Sequence, residues 1–227
     1  MTLSAKRLRQ LVRDRSGVAM TEFALSLPLL LTAGLWGAET ANLTLVHMRV
    51  GQVAMHLADN ASRIGDTSIL NSRKIYERDI NDLLLGAHLQ AKGLSFYDRG
   101  RAVVSSLEVK TSPAGQQYIR WQRCKGLMNV GSAYGNENSN VTGMGPAGQQ
   151  VTAPTGGAVI FVEVFYTYKP LVSSQFFGTP LIKTTASTMV RDNRDLSALY
   201  QKVPGAPDPV MRCNGAGHLS TYPETAL

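Results

Sequence analysis

Residues 18–38, VAMTEFALSLPLLLTAGLWGA, constrain this chain more than any other stretch. They are apolar or small almost throughout, with Glu22 as the only ionisable residue and Pro28 as the only helix-breaker. A helix of about 20 residues crosses the hydrocarbon of a bilayer, so the segment is long enough to span a membrane. It is longer than the core of a secretory signal peptide, and no small-x-small cleavage site followed by a change of composition ends it. Instead a helical pattern continues. Leu43, Val46, Val50, Val53, Leu57 and Ile64 recur at spacings of three, four and seven, which puts them on one helical face. The pattern predicts one helix from about residue 18 to about residue 64, apolar all round at first and amphipathic later. His47 and His56 fall on its polar side.

Charge sets the orientation. The chain carries a net charge of +7. Before residue 18, Lys6, Arg7, Arg9, Arg13 and Arg15 stand against Asp14 alone, so over half of the surplus lies directly ahead of the apolar segment. A basic flank of this kind holds the N-terminus in the cytoplasm and sends the chain beyond the apolar segment across the membrane. The basic residues are thus a topology signal, and no nucleic acid is expected as a partner. A near-neutral mean hydropathy and a length of 227 residues fit one anchored domain rather than a polytopic membrane protein.

The exported part reads as a small α+β head. DTSILNSRKIYERDINDLLLGAHLQ predicts a second helix, capped by Ser68 or Asn71, with Ile75, Ile80, Leu83 and Leu84 as its apolar stripe. Gly86 and Gly93 weaken or end it. Residues 101–110 alternate as a half-buried strand through Val103, Leu107 and Val109, and SPAG turns the chain into a second strand at 116–124, with Ile119 and Trp121 facing one way. Residues 125–157 are rich in Gly, Asn, Ser and Gln and predict a long exposed loop. GAVIFVEVFYTYKP is nearly continuous β-branched and aromatic, a central strand whose Ile160, Val162, Val164, Tyr166 and Tyr168 share one face. Residues 183–191 give a fourth strand, RDNRD a solvated ion-pair cluster, and residues 195–227 a poorly ordered tail. The predicted architecture is a long N-terminal transmembrane helix packing on a small antiparallel sheet, its 43–64 portion covering the apolar face.

Candidate chemistry is sparse. Cys124 and Cys213 both lie in the exported part and can pair in an oxidising compartment. The alternative is two separate buried thiols, because pairing needs a proximity that sequence does not supply. Neither cysteine has a second cysteine or a histidine at ligand spacing, and His47, His56, His88 and His218 are scattered, so no metal or other cofactor is expected. There is no G-x-S-x-G, P-loop or H-E-x-x-H. Glu163, Asp192 and Asp195 have no base at useful spacing. An enzyme is not expected.

Glu22 remains to be explained. A charge at the centre of a bilayer costs about 2.5 to 3.5 kcal/mol on insertion scales, and less near the edge. Either Glu22 sits in the headgroup region without a role, or it has a cationic partner. Glu22, Phe23, Ala24, Leu25, Leu27 and Pro28, following Gly17 and a basic leader, carry a resemblance. RSGVAMTEFALSLPLLL resembles the start of the TadE/TadF-like pseudopilins, the minor pilins of the tight-adherence (Tad/Flp) type IV pilus. Trp-x-Arg-Cys at residues 121–124 and Ala-x-x-x-Val-Arg at 186–191 are similar to later pieces of larger members. Val18 replaces the Phe or Met that other type IV pilins carry after the scissile bond, which suits the Tad branch.

The resemblance implies a pilin-like fold and a non-catalytic function. A prepilin peptidase would cut between Gly17 and Val18, and the new Val18 ammonium would lie one helical turn from Glu22. Glu22 and Phe23 would serve assembly with other pilin and pseudopilin subunits and with the inner-membrane assembly machinery. The implied division is a cleaved leader at 1–17, a transmembrane helix at 18–38 in the lipid bilayer, its amphipathic continuation at 39–64, a periplasmic head at 65–194 and a tail at 195–227. The competing expectation is an uncleaved single-pass inner-membrane protein with a periplasmic binding head and an incidental Glu22. The two differ in the first residue of the membrane-resident chain.

Overall fold

The structure is a computed structural model that describes residues 16–65, 72–191 and 193–214. The expected leader up to residue 15, the candidate caps Ser68 and Asn71, Asp192, His218 and the end of the tail lie outside the described residues. Helix α1 (Ser16–Arg63) is a single run of 48 residues, about 70 Å long at the α-helical rise. Pro28 lies inside it, where its missing N–H leaves one carbonyl of the preceding turn without its helical donor. The C-terminal half of α1 buries Val46, Val50, Val53, Ala54, Leu57, Ala58 and Ala61. Val46, Val50, Val53 and Leu57 belong to the expected stripe, Leu43 and Ile64 are only half-buried, and the three alanines widen the stripe; each large aliphatic buried here contributes roughly 1.5–3 kcal/mol relative to exposure. His47 and His56 are exposed on the opposite side.

That stripe covers a four-stranded antiparallel sheet of order β3-β2-β4-β5, built from β2 (Gly100–Val109), β3 (Gln117–Lys125), β4 (Ala158–Thr167) and β5 (Leu181–Met189). The fold is α+β, with a long N-terminal apolar helix and a small antiparallel sheet. β4 is interior, as its composition predicts. Its Ile160, Val162, Val164 and Tyr166, with Tyr168 just beyond, join Ala102, Val104 and Trp121 against α1. The helix and β4 run in opposite directions. Tyr168 meets the start of the packed half of α1, and the last turn of α1 lies beside Thr188 and Met189 at the end of β5.

Four expectations need correction. The segment after α1 is not one helix. Residues Arg73–Tyr76 form strand β1 and only Glu77–Gln90 form helix α2. The start is fixed by the Asp79 carboxylate, which accepts the Tyr76 backbone N–H at 3.0 Å, and Ile75 enters the core from a strand. Helix α2 runs through Gly86. Secondly, Ile119 and Trp121 face opposite sides. Ser106 pairs with Trp121 and Leu107 with Ile119, so Arg120 is an extra residue in β3. Such a bulge inverts the alternation beyond it.

Thirdly, the expected loop at 125–157 is not wholly exposed, and its first residue, Lys125, belongs to β3. Met144 and Ala153 are buried with Leu107, Ile119, Val159 and Phe161 on the sheet face away from α1, and Met144 and Val151 exchange backbone hydrogen bonds at 3.0 and 2.8 Å. A sheet with two apolar faces needs two covers, and this segment is the second. Gly126 permits its departure from β3. Its φ is +125°, and a Cβ there would stand 2.2 Å from the Gly100 carbonyl oxygen. Fourthly, the expected tail at 195–227 begins as strand, because Arg194–Tyr200 form β6, parallel to β1, and residues 201–214 follow without helix or named strand. Two short helices, α3 (Phe96–Arg99) and α4 (Ser174–Phe177), complete the elements.

Candidate functional site

Among the described residues, no side chain from the first half of α1 joins a core cluster. Every residue from 17 to 38 is exposed, including Val18, Met20, Phe23, Leu25, Leu29, Leu30, Leu31 and Leu35. Twenty-two helical residues rise about 33 Å, against about 30 Å of hydrocarbon. The helix is long and apolar enough to cross a membrane. Its hydroxyls are satisfied internally. Thr21 Oγ1 donates to the Val18 carbonyl at 2.8 Å, Ser26 Oγ to that of Phe23 at 3.1 Å, and Thr32 Oγ1 to that of Pro28 at 2.9 Å. Such back-bonding removes the cost of a hydroxyl in hydrocarbon. Glu22 has no bond of this kind among the described residues. It lies four residues after Val18, about one turn and 6 Å along the axis. Gly17 and Val18, on either side of the expected cleavage point, are already in the helix, and a side chain at Gly17 would meet nothing within 4 Å.

The exposed span ends at a polar lock. After the exposed residues 17–38, Glu39 is buried. Its carboxylate accepts the Tyr168 hydroxyl and the backbone N–H groups of Leu171, at 3.0 Å, and Val172, at 3.1 Å. Asn42 Nδ2 donates to the same hydroxyl at 2.6 Å. Burial pushes the Glu39 carboxyl up, but the bonds from Tyr168, Val172 and Leu171 outweigh it and hold it below the usual carboxylate range. One turn earlier, Trp36 meets Phe177 with ring centroids 5.1 Å apart. Sequence reasoning passed over Glu39, although a signal was present. It precedes Leu43 by four residues, and the buried stripe therefore begins with it.

Further polar clusters fasten the head. Arg123 forks onto Glu77, from Nε at 3.0 Å and from Nη2 at 2.6 Å, and donates to Glu137 at 3.1 Å. Arg194 is not part of a solvated cluster. It is buried, and donates to the carbonyls of Ala61 at 3.2 Å and Ile64 at 2.8 Å, capping the C-terminus of α1. Asp195 instead accepts the hydroxyls of Ser197 and Tyr200, each at 2.6 Å. Glu163 is fully buried beneath the 126–157 segment, where it accepts the Ser132 hydroxyl and, at 2.9 Å, the Ala133 N–H. Burial pushes its carboxyl up. This carboxylate holds a loop on the sheet, and no imidazole among the described residues partners it. Glu108, on the α1 side of β2, is raised to about 7 by burial, against the opposing effects of Ser106, Arg120 and Arg194.

Cys124 and Cys213 form a disulfide with their Cα atoms 4.9 Å apart. It closes 89 residues of sequence and fastens the segment after β6 to β3, where the Cys124 N–H also donates to the Met211 carbonyl at 2.7 Å. The sequence residues therefore fall into two groups. Gly17, Val18, Glu22 and Phe23 share the free helix, and the cysteines sit on the far side of the sheet. Among the described residues no group of three or more His, Cys, Asp or Glu could hold a metal ion. What the arrangement can do is pack and anchor. Compared with known protein families, curated proteins and solved structures, the chain finds no match.

Proposed function

We propose that this chain is a minor pilin, or pseudopilin, of the Tad (Flp) type, cut after Gly17 by a prepilin peptidase and contributing to pilus assembly and surface adhesion. The observation that carries the reading is the free half of α1. It is apolar on every side, satisfies its own hydroxyls, and leaves one carboxylate, Glu22, without a partner among the described residues. An unpaired charge in low dielectric is costly, and a pair is favourable only when both ions meet. Cleavage before Val18 creates the missing cation, on this chain or on a neighbouring subunit. The pairing then fixes the axial register of helices entering a filament. The head follows outside the inner membrane, where an oxidising compartment suits the disulfide.

The experiment is the N-terminal sequence or intact mass of the protein taken from inner membranes of cells that carry the peptidase. Val18 as the first residue is the expected result. Met1 or Thr2 there would overturn processing and leave the uncleaved anchored head as the better account.

A further inference from the structure

The loop between β4 and β5 is apolar where a surface loop has no reason to be. Residues 169–180 read KPLVSSQFFGTP. Leu171 is 66%, Val172 44% and Phe176 79% exposed, and none of the three belongs to a core cluster. The loop is also held in a fixed place. Glu39 accepts the N–H groups of Leu171 and Val172, Ser173 caps the short helix α4 by accepting the Gln175 N–H at 3.2 Å, and Phe177 rests on Trp36. Trp36 belongs to the exposed apolar span and lies two residues, about 3 Å of rise, from its end. Contact with Trp36 therefore sets the loop level with the outer end of that span.

We infer that this loop is a membrane foot. Leu171, Val172 and Phe176 insert into the interfacial region of the outer leaflet beside α1, with Lys169 available to headgroup phosphates. The occupant is the lipid bilayer itself. Continuity with the apolar span favours lipid, because any bilayer that surrounds residues 18–38 reaches Trp36 and hence the Phe177 ring packed against it. Aromatic and large aliphatic side chains at that depth are stabilised by leaving water. The foot gives the head a second attachment point, so α1 is held at a set rotation about its own axis rather than free to spin. The Glu39 lock is what couples the two attachments.

This inference rests on residues 18–38 spanning a membrane but not on cleavage. Its test uses the full chain in nanodiscs of phosphatidylethanolamine and phosphatidylglycerol, with a spin label at one site at a time: Phe176→Cys, Leu29→Cys in mid-span, and Gln149→Cys in the loop over the opposite end of β4. Collision with oxygen, which partitions into lipid, is compared with collision with a water-soluble nickel chelate. The expected result is an oxygen-to-chelate ratio at 176 several-fold above that at 149 and approaching that at 29. A water-like ratio at 176 with a lipid-like ratio at 29 overturns the foot and leaves the span intact. A water-like ratio at 29 removes both. Shielding of 176 from both reagents would assign the loop to a protein contact, such as a second copy, and would also overturn the lipid assignment.

Discussion

Removing the Glu77 carboxylate should destabilise the head far more than removing Glu137, although both face Arg123. The Arg123 and Glu77 side chains are 4% and 5% exposed, whereas Glu137 is 26% exposed. Breaking a buried ion pair by deleting one partner costs about 3–5 kcal/mol, because the other charge is left in low dielectric. Arg123 retains Glu137 and the Gln122 carbonyl, at 2.8 Å, so the lower end, about 3 kcal/mol, applies to Glu77→Ala. Loss of an acid from the first turn of α2 accounts for no more than about 1 kcal/mol of that. Glu137→Ala should cost about 1 kcal/mol or less. For a domain of this size each kcal/mol moves the melting midpoint by roughly 2–4 °C, so Glu77→Ala should lower it by roughly 6–12 °C. Trp121 is buried two residues from Arg123, and in a Trp36→Phe background it is the sole tryptophan. Its fluorescence in detergent-solubilised full chain reports the melt of the head alone. A companion Glu77→Met, Arg123→Leu double replacement should recover much of the loss, since it removes both buried charges. Equal shifts for Glu77→Ala and Glu137→Ala would refute the reasoning, as would a double replacement as damaging as the two single changes combined.

Glu108 gives a pH signature. Its pKa rises from 4.5 to about 7 on folding, so between those values the native state holds a proton the unfolded chain has lost. The contribution of Glu108 should fall as pH rises through that window and flatten above it, by on the order of 3 kcal/mol at most; Glu108→Gln should make the decline shallower in urea titrations at pH 4 to 8, and an unchanged slope would contradict it. Gly126→Ala should cost about 2 kcal/mol or more from the backbone conformation alone, with the clash on Gly100 added, and a urea midpoint equal to that of the parent would contradict it. Glu22→Ala should leave processing intact but reduce pilus-dependent attachment, and normal attachment would remove the role given to the carboxylate. Replacing Cys124 and Cys213 by Ser should cost roughly 4–5 kcal/mol in the chain-entropy model, read in the same melts; two free thiols in the exported parent, by thiol labelling, would end that claim.

What could be read from the sequence was whatever repeats with a period or runs on in one composition. The buried stripe of α1 emerges from spacing because one side of the helix is apolar and the other is not, and β4 emerges from its run of β-branched and aromatic residues, which are buried on both faces. What escaped was set by single residues acting against the pattern. Arg120 inverts the faces of β3 by its mere insertion. Asp79 halts a helix that composition would have started earlier. Residues 126–157 look too polar to bury anything, yet Met144 and Ala153 suffice because the rest of the segment is held by hydrogen bonds such as those to Glu163. In the candidate site, Glu22 and Gly17 were visible because they interrupt or flank an apolar run. Glu39 was not, since its partners Tyr168, Leu171 and Val172 lie over a hundred residues away.

A single rod carries both the exposed apolar span and the buried stripe of the domain. Pulling on that rod loads the inner core directly, because Val50, Val53 and Leu57 belong to the same backbone as Leu29. Between Leu29 and Val50 the helix is unbroken, so no flexible tether intervenes in which a tug could dissipate. Traction on the apolar span is therefore resisted by the whole buried stripe in shear, and torque applied to the domain turns the span with it.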